Sequence, residues 1–359
     1  MRIAIYAYPW DDVDRADLGA DQVVVATSYH SVRAATPRHP RHRVLTAASG
    51  LYLPVDPSAW GRLVPAAREP IVEGLGERAA WVVLTHNSVI GRDHPDVCAR
   101  NAFGDLYEYA LCPSVPAVRE YAANLVREIA RAGATSMVLE ACGPMGLGHL
   151  SAHEKTAGAD WSAIDEALLS ICFCEACTTA LADAGLDVVH LQDAVRRAVG
   201  AGCASMEDAL GPDAKVVLDV RRRATADLRD QVVAAARANG VRDIAMHASI
   251  DPWSTGPAAA VDSVIAGIDR FVIPAWELTG AGVERVAQFR RHRLRPARLA
   301  AYVTALPPVP ARAEVLAAHW LSLVEAGVGE LHVYHAGLAS TARLDAIRTA
   351  IAIVRGATE

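Results

Sequence analysis

Eight short apolar runs, poor in charge and rich in β-branched residues, recur along this chain of 359 residues. They are Ile3–Tyr8, Gln22–Ser28, Ala80–Thr85, Ser136–Leu139, Asp243–Met246, Arg270–Ile273, Arg298–Val303 and Glu330–Tyr334. Runs of this kind read as strands covered on both faces, the habit of parallel sheets. Helical patterns separate most of them. In Val115–Ala132 the residues Val118, Ala122, Leu125, Val126 and Ile129 repeat on one face of a 3.6-residue period, and Gly133 follows as a stop. Val217–Ala238, Val283–Arg291, Arg312–Ala326 and Ser340–Arg355 read the same way. Strand–helix alternation carried through eight strands predicts a closed (β/α)₈ barrel, with a doubly wound open sheet as the alternative.

One barrel domain over 1–359 accounts for the length, provided two connections are long insertions, after strands two and four. Residues 29–78 join the second and third runs and read as holding a hairpin, Arg43–Ala47 with Leu51–Val55, around Ser49-Gly50. Residues 141–242 join the fourth and fifth as a helical and loop insertion. Ordinary connections take about two to six residues. Insertions on the carboxyl side of barrel strands build the active-site face.

Composition narrows the function. Apolar residues make up 52% and the formal net charge is −6, so a large core is affordable and no basic bias favours nucleic acid. The basic stretch from Pro37 to Arg43 reads as a solvated loop or an anchor for an anionic group. The start lacks the apolar run of a signal peptide, and no stretch is long and apolar enough to span a membrane. Seven cysteines, three of them crowded together, do not make a disulfide framework. These features predict a cytoplasmic protein acting on a small molecule. Homo-oligomerisation is left open.

A polar residue at the carboxyl end of a barrel strand points into the mouth. The expected set is Tyr8, His30, His86, Asn87, Glu140, His247, Trp276, Glu277 and His335. Any single histidine reads as structural; several at strand ends read as a site. Glu140, directly after Met137-Val138-Leu139, is the leading acid–base candidate, because partial desolvation raises a carboxyl pKa. Glu277 beside Trp276 suits a sugar ring, with the indole stacking on C–H surface and the acid addressing hydroxyls. His149 and His153 are four apart and Glu154-Lys155 follow, which offers His153 and Glu154 for acid–base work or a metal. Gly143–Gly148 has the wrong spacing for a dinucleotide loop. Cys172, Cys174 and Cys177 supply three thiolates for a structural zinc, with Cys112, Cys142 or a histidine as the fourth ligand.

The run from Leu111-Cys112-Pro113 through Pro116, Val118-Arg119 and Tyr121, then Leu139-Glu140, resembles glycoside-hydrolase-like TIM-barrel proteins. The Cys172–Cys177 cluster and Tyr334-His335-Ala336-Gly337 also look like that family. The resemblance spans about residues 80–180. It implies a barrel, a carbohydrate-like ligand and an acid at Glu140. Many retaining barrel glycosidases carry a nucleophile after strand seven; here Val303-Thr304-Ala305-Leu306 offers no carboxylate. The second acid then falls to Glu277, Glu154 or Asp251. The competing readings are a metal-assisted lyase, isomerase or epimerase of a polyol, with His86, Glu140, His247 and His153 as ligands or bases, and a sugar-binding barrel without catalysis.

Overall fold

The computed structural model describes residues 1–72, 74–148, 156–261, 266–292 and 298–358. Eight parallel strands close a ring: β1 (Arg2–Ala7), β2 (Gln22–Tyr29), β3 (Ala79–Val83), β4 (Ser136–Glu140), β5 (Asp243–Ser249), β6 (Arg270–Pro274), β7 (Arg298–Thr304) and β8 (Glu330–Tyr334). β1 pairs with both β2 and β8, which closes the barrel. The strands match the apolar runs of the sequence, because a strand buried on both faces has no choice but to be apolar outside.

Helices cover the ring. Pro116–Arg131 opens with a proline at its first turn, where the missing N–H costs nothing, and the chain leaves it through Gly133 at φ 99°. Its face of Val118, Ala122, Leu125, Val126 and Ile129 is buried, as the periodicity requires. It packs beside Asp213–Ala238, a helix of 26 residues.

That long helix ties two cores together. Its second half places Leu228, Val232 and Ala236 in the barrel core. Its first half places Ala214, Val217 and Val220 in a separate cluster with Leu168, Phe173, Leu191 and Val195. The second cluster belongs to the chain between β4 and β5, which forms helices Ala163–Leu169, Glu175–Asp183, Val188–Ala198 and Met206–Leu210. Full burial of each large aliphatic side chain contributes about 1.5–3 kcal/mol, so this stretch carries its own source of order.

The chain between β2 and β3 differs from the expected hairpin. Val44–Ala47 pairs antiparallel with Val32–Ala35, not with the segment after Gly50. Gly50–Leu51 instead pairs antiparallel with the end of β2. Leu51 and Tyr52 are fully buried, so packing against the barrel outweighs a local turn. A second antiparallel hairpin, Cys98–Arg100 with Leu106–Leu111, follows β3. Among the described residues, no helix is long and apolar enough to cross a membrane.

The barrel interior is not apolar at its lower end. Arg270, at the start of β6, is buried, donates to Asp243 Oδ1 of β5 at 2.7 Å and lies 3.1 Å from Glu330 of β8. Against the effect of burial, Arg270 holds the Asp243 carboxyl below its ordinary range, and His332, followed by Arg270, does the same for Glu330. Aromatic residues fill the next level. The rings of Tyr6 (β1) and Trp81 (β3) are 4.8 Å apart, and those of Tyr6 and Tyr302 (β7) are 5.0 Å apart.

Candidate active site

Glu140 ends β4 inside the mouth and is buried. Its carboxyl accepts a hydrogen bond at Oε2 from the indole N–H of Trp81, at 2.8 Å. Burial drives its pKa up to about 7, and the Trp81 bond opposes this only partly. The backbone turns sharply just beyond. Ala141 takes φ 54°, a conformation that costs a residue with a Cβ roughly 1–2 kcal/mol. It is held there from three sides: Ala141 N–H donates to Pro257 O at 2.9 Å, and Thr85 donates to Ala141 O through both its N–H and its hydroxyl.

Aromatic rings surround this carboxyl. Tyr6 and Tyr8 come from β1 and its exit, Tyr29 from β2, Trp81 from β3, Tyr302 from β7 and Tyr334 from β8. The Tyr29 and Trp81 rings are 4.6 Å apart, and the Tyr8 and Tyr334 hydroxyls are 3.4 Å apart. Burial raises the pKa of Tyr6, Tyr8, Tyr29 and Tyr302 well above normal, so these phenols stay neutral. The site therefore combines apolar faces with hydroxyl groups able to donate or accept.

The other expected residues divide. His335 follows β8, is fully buried, and packs against Tyr8 with the rings 4.2 Å apart and tilted by 38°. Among the described residues neither ring nitrogen has a hydrogen-bond partner, and burial, then the Arg38 charge, pull its pKa down to about 3. His30 and His86 stack on each other at 4.4 Å, and His30 also stacks on Tyr29 at 4.2 Å. Asn87 caps the short helix Ser88–Asp93: its Oδ1 accepts from Val89 and Ile90 N–H, and its amide donates to Tyr121. Trp276 is 42% exposed and stacks on Tyr334 at 5.2 Å. With Leu306, Pro307 and Val309 it walls a cleft beside the mouth. Glu277 lines the same cleft, but both its oxygens bind Arg285. Burial would raise its pKa, yet a backbone hydrogen bond and Arg285 hold it low. His247 lies within the barrel, hydrogen-bonded to the Tyr6 hydroxyl at 3.1 Å. His153 and Glu154 lie outside the described residues.

One carboxyl was missed. Asp11 follows β1 in the turn Pro9-Trp10-Asp11 and accepts from Tyr8 N–H at 2.8 Å. Its Oδ2 is 3.9 Å from His335 Nδ1. Burial pushes its pKa up to about 6 against that bond and the Arg38 charge. A Cβ on Gly337 would come within 1.6 Å of Asp11 Oδ2, so this close approach needs glycine there. The sequence signal was available: a carboxylate directly after the first strand.

Where the hairpin after β3 meets the insertion after β4, Cys112, Cys172, Cys174 and Cys177 bring their sulfurs within 4.8 Å of one another. Cys112 Sγ is 3.5 Å from Cys177 Sγ and 3.6 Å from Cys174 Sγ. Tetrahedral Zn–S bonds of about 2.3 Å set sulfurs roughly 3.8 Å apart, so this group can hold a metal ion. Backbone N–H groups of Cys174 and Arg100 point at Cys172 Sγ, at 3.4 and 3.5 Å, the kind of bond that stabilises thiolate. Cys112 is thus the fourth member, from the end of the hairpin that follows β3. The neighbouring Ser170 hydroxyl accepts from Leu147 N–H at 2.9 Å and so fastens the loop that leaves Glu140.

No family model matches the chain, and no curated protein sequence matches it. Solved structures do. The catalytic domain of beta-amylase from Paenibacillus polymyxa aligns over 99% of this chain and 98% of its own, with a TM-score of 0.54 and 11% identity. A chitinase from Rhizomucor miehei aligns over 98% of this chain and 100% of its own, with a TM-score of 0.46 and 9% identity. At such identity the likeness is one of fold: the chain has the (β/α)₈ barrel that the beta-amylase domain also has.

The arrangement can perform proton transfer. A carboxyl with pKa near 7 gives up or takes a proton close to neutral pH with little free-energy cost. The rings around it exclude water and offer flat apolar surface.

Proposed function

We propose that this protein is a carbohydrate-active hydrolase in which Glu140 is the general acid. The observation that carries the reading is a buried carboxyl, raised to about 7, at the end of β4 within a ring of aromatic side chains. Desolvation keeps Glu140 protonated until a leaving group needs the proton, and the aromatic faces match the C–H faces of a sugar ring. Trp276 extends this surface outward along the cleft it shares with Glu277. Glu277, ionised against Arg285, orients hydroxyls there. Asp11, buried and raised to about 6, is the second carboxyl with a proton affinity suited to acid–base exchange.

Glu140→Gln keeps shape and hydrogen-bonding capacity but carries no transferable proton. General acid–base groups contribute about 10²–10⁴-fold. On the sugar that binds best in a panel, the variant should bind as the wild type does and lose turnover by that factor. Full activity in the variant would remove Glu140 from the chemistry.

The four-cysteine group we read as a structural zinc site. Cys112, Cys172, Cys174 and Cys177 would hold the ion as tetrathiolate, leaving no open position for substrate. The ion would tie the hairpin after β3 to the insertion after β4. Purified protein should carry close to one zinc per chain, and Cys112→Ser should lower that content. Protein free of zinc after growth in zinc-supplemented medium would overturn this reading.

A further inference from the structure

A chain of hydrogen bonds runs up the inside of the barrel to His247. Glu330 Oε1 is 3.2 Å from His332 Nε2. His332 Nδ1 is 2.9 Å from the Tyr6 hydroxyl, which is 3.1 Å from His247 Nε2. β1 and β5 stand four strands apart in the closed ring, so the Tyr6–His247 bond crosses the interior. All four side chains are buried.

Proton counting fixes the direction of every bond. Arg270 and Arg2 lie 3.1 and 3.7 Å from the Glu330 carboxyl, which is therefore an anion that only accepts. His332 must then donate from Nε2. Burial pulls the His332 pKa below its ordinary value against the Glu330 hydrogen bond and charge, so the ring is neutral; it then has only a lone pair at Nδ1, and the Tyr6 hydroxyl donates there. The Tyr6 oxygen has spent its one proton and can only accept from His247. His247 therefore carries its proton on Nε2, and its Nδ1 keeps a free lone pair. The strand register places that ring. β4 and β5 pair Leu139 with Met246, so His247 is level with Glu140 on the adjacent strand, about 5 Å away between backbones. The Tyr302 ring packs edge-on to it at 4.6 Å.

We propose that Glu330, His332 and Tyr6 are positioning residues that lock His247 as the Nε2–H tautomer, so that its Nδ1 accepts a hydrogen bond from a ligand hydroxyl held beside Glu140. The site thus pairs a donor with an acceptor: protonated Glu140 gives, and His247 takes. A ligand with adjacent hydroxyl and ether or hydroxyl oxygens satisfies both. Assignment of that ligand to carbohydrate rests on the function proposed above; the locked tautomer does not.

Long-range ¹H–¹⁵N spectra of ¹⁵N-histidine-labelled protein read the tautomers without any substrate. His247 and His332 resonances are assigned by the loss of signals in His247→Gln and His332→Gln. The expected result at neutral pH is two neutral rings, each protonated on Nε2. Tyr6→Phe should leave His332 protonated on Nε2 and release His247 into a mixture of tautomers. A His247 proton on Nδ1, or a cationic His247, would overturn the relay using the wild-type spectrum alone, even if Tyr6→Phe fails to fold. Saturation with a binding sugar should shift the His247 Nδ1 resonance; an unmoved resonance would overturn the acceptor role. Normal tautomers with no sugar binding would instead break the carbohydrate reading, so the two failures are distinguishable.

Discussion

At the lower end of the barrel, Arg270 is buried between two carboxylates, and at the upper end Glu140 is buried beside one indole N–H. The two levels lie on the same strands, within the same ring, yet they treat ionisable groups in opposite ways. Below, Asp243 also accepts from Ser136, and Glu330 also bonds His332, so the charges are met on several sides. Above, the Asp11 carboxyl and the His335 ring are 3.9 Å apart, too far for a hydrogen bond, and among the described residues Glu140 makes no ion pair. Pairing at the lower end shifts carboxyl pKa values down; burial at the upper end shifts Glu140 and Asp11 up. The lower level spends its interactions on holding the strands. The upper level leaves proton affinities near neutrality, which is what acid–base chemistry needs.

The comparison is broken most forcefully from below. Arg270→Ala leaves Asp243 and Glu330 without the buried cation between them, with only the more exposed Arg2 nearby at 3.9 and 3.7 Å. Removing one partner of a buried ion pair costs about 3–5 kcal/mol. Urea denaturation of the variant at neutral pH should show a loss of that size. A loss under about 1 kcal/mol would mean that water reaches the lower level and the two ends are not electrostatically distinct.

What the sequence made legible follows from this division. The barrel was readable because its strands are buried on both faces, which leaves β-branched runs such as Val23-Val24-Val25. Glu140 was readable because it interrupts an apolar run at its end. The lower level was not. In Glu330-Leu331-His332-Val333-Tyr334 polar and apolar residues alternate, a pattern that on an open sheet means a solvent face. Only closure of the ring turns that polar face inward, and closure is not a local property. Asn87, expected at the mouth, carries a second signal. Asn followed by Ser88 and the apolar Val89 and Ile90 is also a helix-cap signal, and in the structure the amide is spent on the cap. Cys112 could not be chosen over Cys142 by spacing, since the choice depends on where the hairpin after β3 returns. His153 and Glu154 remain proposals.

The smaller and sharper test comes from above. Glu140 in the folded chain keeps its proton to about pH 7, whereas an unfolded glutamate loses it near its ordinary value of 4.5. Between those two values the folded state binds one more proton than the unfolded state, so stability falls as pH rises. The fall is complete above pH 7, where both states are ionised and the folded one carries a desolvated charge. Two and a half pKa units correspond to about 3 kcal/mol. Glu140→Gln never ionises and loses this slope, while Asp11 contributes its own fall to both proteins and cancels in the difference. The difference in unfolding free energy, variant minus wild type, should therefore be small at pH 4, grow through pH 5–7, and level off near 3 kcal/mol in favour of the variant at pH 8. Thermal or urea unfolding across that range measures it. A difference that stays flat from pH 4 to 8 would mean that Glu140 is solvated or paired after all, and the mouth would then handle its charge as the lower level does.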